Sequence, residues 1–172
     1  MEKKPTSPIL AGFIVSLIMI VYGLIVYFTG IYLKSWNQYV GLAIICLGII
    51  AFVINHSKDL QGKVTFGGLF GFGFKTTAVI VCIMVLYTVV SGYLFPDVKQ
   101  KIVEMAREQA LSQPNANEAQ IEQGMAMFEK NYTLFIVMTL VFWYAIIGLV
   151  SSLIGAAIAK KNATGPVDFD NA

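Results

Sequence analysis

Apolar and polar positions along this chain segregate on the scale of whole helices. No charged side chain falls between Lys4 and Lys34, between Lys34 and Lys58, between Lys75 and Asp97, or between Lys130 and Lys160. A spanning helix needs roughly 20 apolar residues to cross about 30 Å of hydrocarbon, and each of the four windows holds such a run. The pattern predicts an all-α polytopic membrane protein with four transmembrane helices, over about 9–29, 39–55, 65/76–95 and 132–159. The third span covers 76–95, with its helix starting near Thr65. A helix from there to Phe95 would be about 46 Å long, so its first turns belong in the interface or beyond it.

The segment between the last two spans, about 97–130, has a different rhythm. Val98, Ile102, Met105 and Ala106 share one helical face, with Lys101, Glu104 and Glu108 elsewhere. Gln113-Pro114-Asn115 interrupts it, because proline disfavours helix in the residue before it. A second helix follows, capped by Asn117, with Ile121, Met125 and Phe128 in line. These features predict an extramembrane helical hairpin whose second arm runs without a break into the last span. Its apolar face of Ile102, Met105, Ile121, Met125 and Phe128 is a candidate partner surface.

Composition agrees with a membrane protein. Charged residues make up 13% of the 172, against about 25% in soluble domains, and the length suits one compact unit, a single membrane domain over 1–172. Met1-Glu2-Lys3-Lys4 before an apolar run imitates a secretory signal. The run from Ile9 to Phe28 is longer than a signal core and no clear small-residue cleavage site follows it, so it is expected to stay as the first span.

Orientation follows from lysine and arginine, which are retained on the cytoplasmic side. Lys3, Lys4, Lys58, Lys63, Lys75, Lys160 and Lys161 fall on one side; Lys34, Lys99, Lys101, Arg107 and Lys130 fall on the other. Both termini are therefore expected in the cytoplasm. Tyr27, Tyr32, Trp36, Tyr39, Tyr93, Phe95 and Tyr132 cluster at the opposite face, as interfacial aromatics do.

Candidate chemistry is sparse. The central parts of all four spans lack Asp, Glu, Lys, Arg and His, the groups on which proton relays and ion pumps depend. Cys46 and Cys82 fall inside spans and behave as small hydrophobes. His56 has only Asp59 as an acidic neighbour and reads as an interfacial residue rather than a metal ligand. Gly68 and Gly73 before Lys75-Thr76 imitate a phosphate loop, but Phe74 separates the glycine from the lysine and no strand precedes them. On a helix, Phe66, Phe70 and Phe74 instead face lipid, and Gly67 and Gly71 permit close backbone approach. In the last span, Gly148–Ser152–Ala156 and Ser151–Gly155–Ala159 are small-residue series at four-residue spacing, a packing face for another helix or a second copy. Ser16, Gly23 and Gly30 in span one, and Gly41 and Gly48 in span two, are its candidate partners. No cofactor and no nucleic acid are expected at a net charge of +2.

The segments GFIVSLIMIVYGLIVYFTGIYL (Gly12 to Leu33), VTFGGLFGFGFKTT (Val64 to Thr77), FPDVKQKIVEMAREQ (Phe95 to Gln109) and IEQGMAMFEK (Ile121 to Lys130) resemble a bacterial membrane family, domain of unknown function 4199. The likeness covers nearly the whole chain. It implies a small four-span inner-membrane protein of Gram-negative bacteria and carries no activity or site residue across. The residues themselves favour a non-enzymatic accessory or scaffold subunit whose hairpin meets a protein partner. The alternative is a carrier or binder of a lipid or small apolar molecule within the bundle. An enzyme is disfavoured, since the buried serines have no base at hand.

Overall fold

The computed structural model describes residues 5–31, 36–114 and 117–163. Lys3, Lys4, Tyr32, Lys34 and Asn115 lie outside the described residues. Within them the chain is helical: α1 Pro8–Thr29, α2 Asn37–Asp59, α3 Phe66–Leu94, α4 Pro96–Leu111, α5 Glu118–Lys130 and α6 Tyr132–Ala163. Four of these, α1, α2, α3 and α6, are long and apolar enough to cross a membrane. The chain forms two compact units, 1–84 with 143–172, and 85–142, and α3 and α6 contribute to both.

Local chemistry sets several helix ends. Ser7 caps α1 by accepting from the Leu10 N–H, with Pro8 preorganised in the first turn. Gly30 closes α1 at φ +68, a left-handed conformation that costs glycine nothing. Thr65 holds the start of α3, its Oγ1 accepting from the Gly68 N–H at 3.1 Å. The helix thus begins where the sequence places it. The segment that imitates a phosphate loop is ordinary α-helix.

In the first unit each helix buries one stripe. Ile45, Ile49, Val53 and Ser57 recur every four residues on α2, and all are buried. On α3 the stripe is Leu69, Phe72, Gly73, Thr76, Thr77, Ile80 and Met84. Opposite faces carry large exposed apolar groups, among them Phe13, Leu17, Val21 and Ile25 on α1, the surface that a lipid-facing helix presents.

Glycines mark the helix crossings. A Cβ on Gly48 of α2 would lie 2.9 Å from Val15 Cγ2 of α1, and one on Gly41 would meet Met19 Cε at 3.6 Å. A Cβ on Gly12 would lie 2.6 Å from Val79 Cβ and 3.0 Å from the Thr76 carbonyl oxygen of α3. Without a hydrophobic effect between helices in lipid, such close approach is what holds them. Thr76 and Thr77 donate to the carbonyls of Phe72 and Gly73, and Ser152 donates to Gly148, so these hydroxyls enter the seam with their hydrogen bonds made. Ser16 and Ser151 are also buried, with no hydrogen-bond partner among the described residues.

The second unit contains the hairpin. Asn117 caps α5, accepting from the Gln120 N–H at 3.3 Å. The expected continuity of α5 with the last span fails at one residue. Asn131, at φ −111 and ψ 23, ends α5. Its backbone N–H and its side-chain Nδ2 both donate to the Met127 carbonyl, at 3.1 and 3.0 Å. An asparagine that competes for its own helix carbonyl favours helix ends over interiors, and α6 restarts with Phe135 donating to the Asn131 carbonyl.

Candidate functional site

Two sets of residues carry the functional expectations: the small-residue faces in the first unit and the hairpin in the second. The small residues of α6 meet Thr77 and Gly73 of α3 and Val53 and Ile50 of α2, whereas Gly41 and Gly48 of α2 meet α1. Gly148, Ser152, Gly155 and Ala156 are all buried. Gly148 sits against Thr77 of α3, where an added Cβ would come to 2.7 Å from the Thr77 Cβ. A Cβ on Gly155 would lie 3.1 Å from Val53 Cβ and 3.3 Å from Ile50 Cα of α2. Ser152 faces Gly73, with 2.6 Å from its Oγ to the position of a Cβ there.

Gly67 and Gly71 do not share that role. A Cβ on either meets no atom within 4 Å, so neither makes a close helix contact within the described chain. The glycine of α3 that does is Gly73, two residues further on. Two residues on a helix amount to about 200° of rotation, which carries the Gly67–Gly71 stripe away from the seam. Phe66 and Phe74 are exposed, while Phe70 is half-buried with its ring 6.0 Å from that of Phe74.

At the end of α2, the His56 ring stacks on Phe72 of α3 with centroids 4.0 Å apart and planes 14° apart. Its Nδ1 lies 3.1 Å from the Thr6 carbonyl oxygen. An oxygen there can only accept, so Nδ1 carries the hydrogen. Asp59 Oδ2 accepts from the Thr6 N–H and hydroxyl at 3.1 and 3.0 Å. His56 thus helps clasp the segment before α1 to α2 and α3. No group of three or more His, Cys, Asp or Glu able to hold a metal occurs among the described residues.

In the hairpin, the predicted partner face is largely turned inward. Met125 is buried at 8% exposure, and Ile102 and Ile121 are half-buried. Phe128 packs edge-on against Tyr132 at 5.7 Å and tilts against Phe135 at 5.9 Å. Only Met105 is exposed, at 43%. The buried residue of α4 is Val103 instead. Charge joins the arms as well, through Arg107 Nη2 and Glu122 Oε2 at 3.3 Å.

The hairpin also carries a groove of about 440 Å³, lined by Pro96, Lys99, Gln100, Val103, Glu104 and Arg107 of α4 and by Glu129 of α5. Its volume falls in the range of roughly 300–1,000 Å³ that small-molecule sites occupy. Lys99 Nζ stands 5.6 Å from the centre of the Tyr132 ring, a cation–π distance. Glu104 and Glu129 have no salt-bridge partner among the described residues. The α4 positions recur at helical spacing, but Glu129 comes from the other arm, so no local pattern in the sequence announces the groove.

No curated protein and no solved structure matches this chain. A family match does exist: residues 10–161 fit the family described as Protein of unknown function (DUF4199), and the protein belongs to that family.

Proposed function

We propose that the protein is a non-enzymatic, multi-pass subunit of the bacterial inner membrane that acts as an accessory or scaffold protein, with its α4–α5 hairpin outside the bilayer as the contact surface. One observation carries this reading. On the outer side of the hairpin, Met105, Leu111 and Met127 remain exposed at 43%, 41% and 62%. Methionine adapts to irregular partner surfaces, and in this proposal these three side chains are the points of contact.

The test uses the full chain with Met105 and Met127 both changed to Gln. Loss of a stoichiometric protein from mild-detergent purifications, at unchanged melting temperature, supports the reading. Retention of every co-purifying protein counts against it. The competing idea of a lipid or small apolar molecule carried between the spans has less support. The crossings at Gly12, Gly48, Gly73, Gly148 and Gly155 have little spare volume.

Orientation has its own measurement. In a background lacking Cys46 and Cys82, single cysteines at Ser7 and Gln61 should resist an impermeant thiol reagent in intact spheroplasts, while one at Gln113 labels. The opposite labelling inverts the topology.

A further inference from the structure

We propose that the hairpin groove binds the headgroup of a zwitterionic phospholipid, a phosphate joined to a primary ammonium. The proposal does not depend on the protein-partner reading above, because it uses other side chains of the hairpin. The groove offers both signs of charge. Lys99 brings an ammonium into it, Arg107 a guanidinium whose Nη2 also meets Glu122 at 3.3 Å, and Glu104 and Glu129 carboxylates that have no salt-bridge partner among the described residues. A purely anionic headgroup would satisfy the cations and leave both carboxylates facing it without compensation. A headgroup carrying phosphate and ammonium satisfies both pairs. Charge-assisted hydrogen bonds of this kind are about twice as strong as neutral ones.

Position points to a lipid rather than a dissolved molecule. Pro96 follows the end of α3 at Leu94 by two residues, and Glu129 precedes the start of α6 at Tyr132 by three. The groove therefore opens where two spanning helices leave the hydrocarbon, at the depth of the headgroups. Leu86, Val90 and Leu94 on α3 and Phe135 and Met138 on α6 are exposed, an apolar surface along which acyl chains can lie. Tyr132, beneath Lys99, is the kind of ring that sits at that level.

The test uses the delipidated full chain in a neutral maltoside detergent. It is titrated with dioleoyl phosphatidylethanolamine, with dioleoyl phosphatidylglycerol, and with soluble O-phosphoethanolamine. Bound lipid is counted by native mass spectrometry. The ethanolamine lipid should be retained about tenfold better than the glycerol lipid, as losing one charge-assisted contact predicts. Changing Glu104 and Glu129 together to Gln should erase that preference, with the ethanolamine lipid held less well and the glycerol lipid held at least as well as before. Lys99→Gln should weaken both lipids. Glu108→Gln, exposed on α4 outside the groove, should change nothing. Equal retention of the two lipids by the unaltered protein overturns the proposal, and so does an unchanged preference in the double variant. Soluble O-phosphoethanolamine binding as tightly as the lipid would keep the zwitterion site but overturn its lipid occupant.

Discussion

Gly148→Leu is expected to take apart the α3–α6 pair and to leave little folded protein in detergent. A Cβ alone at this position would come to 2.7 Å from the Thr77 Cβ and closer still to its two terminal atoms. Leucine adds three more carbons in the same direction. Thr77 cannot move aside cheaply, because it is buried and its hydroxyl donates to the Gly73 carbonyl at 3.0 Å. Overpacking a well-filled interior costs roughly 1–3 kcal/mol and sometimes more, and this substitution belongs at or above the top of that range. Against a total stability of about 5–15 kcal/mol for a typical protein, the loss should appear as reduced yield and a melting temperature lowered by many degrees. Gly71→Leu is the control. No atom lies within 4 Å of a Cβ there, so the isolated chain should melt as before. Equal melting of Gly148→Leu and the unaltered protein would show that the α6 face packs on nothing.

These two glycines also show what could be read from the sequence and what could not. The four spans are legible because charge is absent over whole windows, a signal that needs no partner. The α6 face is legible because its small residues keep a four-residue period amid larger ones. In α3 the glycines are too many for that. Gly67, Gly68, Gly71 and Gly73 offer several stripes, and only the position of Ser152 and Val53 decides that Gly73 faces the seam. The break at Asn131 was missed for a related reason. Its signal is a single asparagine whose side chain competes for the Met127 carbonyl, and asparagine within a long helical pattern is common enough to pass unnoticed. The charged groove depends on α5 folding back onto α4, so its residues stand together only in three dimensions.

The two methionines of the hairpin separate fold from contact surface most sharply. Met125 and Met105 have the same side chain and fit the same helical spacing, yet Met125 is 8% exposed and Met105 is 43% exposed. Met125→Ala should destabilise the hairpin by about 2–5 kcal/mol, the usual result of truncating a buried methionine. Met125 shares the seam with Val103, which is equally buried, and with the half-buried Ile102 and Ile121. The Arg107–Glu122 pair is exposed on both sides, at 42% and 54%, and pairs of that kind contribute about 0–1 kcal/mol. Truncation at Met125 should therefore open α4 and α5 locally while α1, α2, α3 and α6 stay folded. Hydrogen exchange by mass spectrometry reads this directly. Amides between Lys99 and Leu111 and between Ile121 and Lys130 should lose protection, and those of α2 should not. Met105→Ala should change both sets far less, since Met105 is 43% exposed where Met125 is 8%. Unchanged protection in Met125→Ala would mean that the arms are held together by something other than their buried seam. Loss of protection in Met105→Ala would place that residue in the seam rather than on the surface offered to a partner.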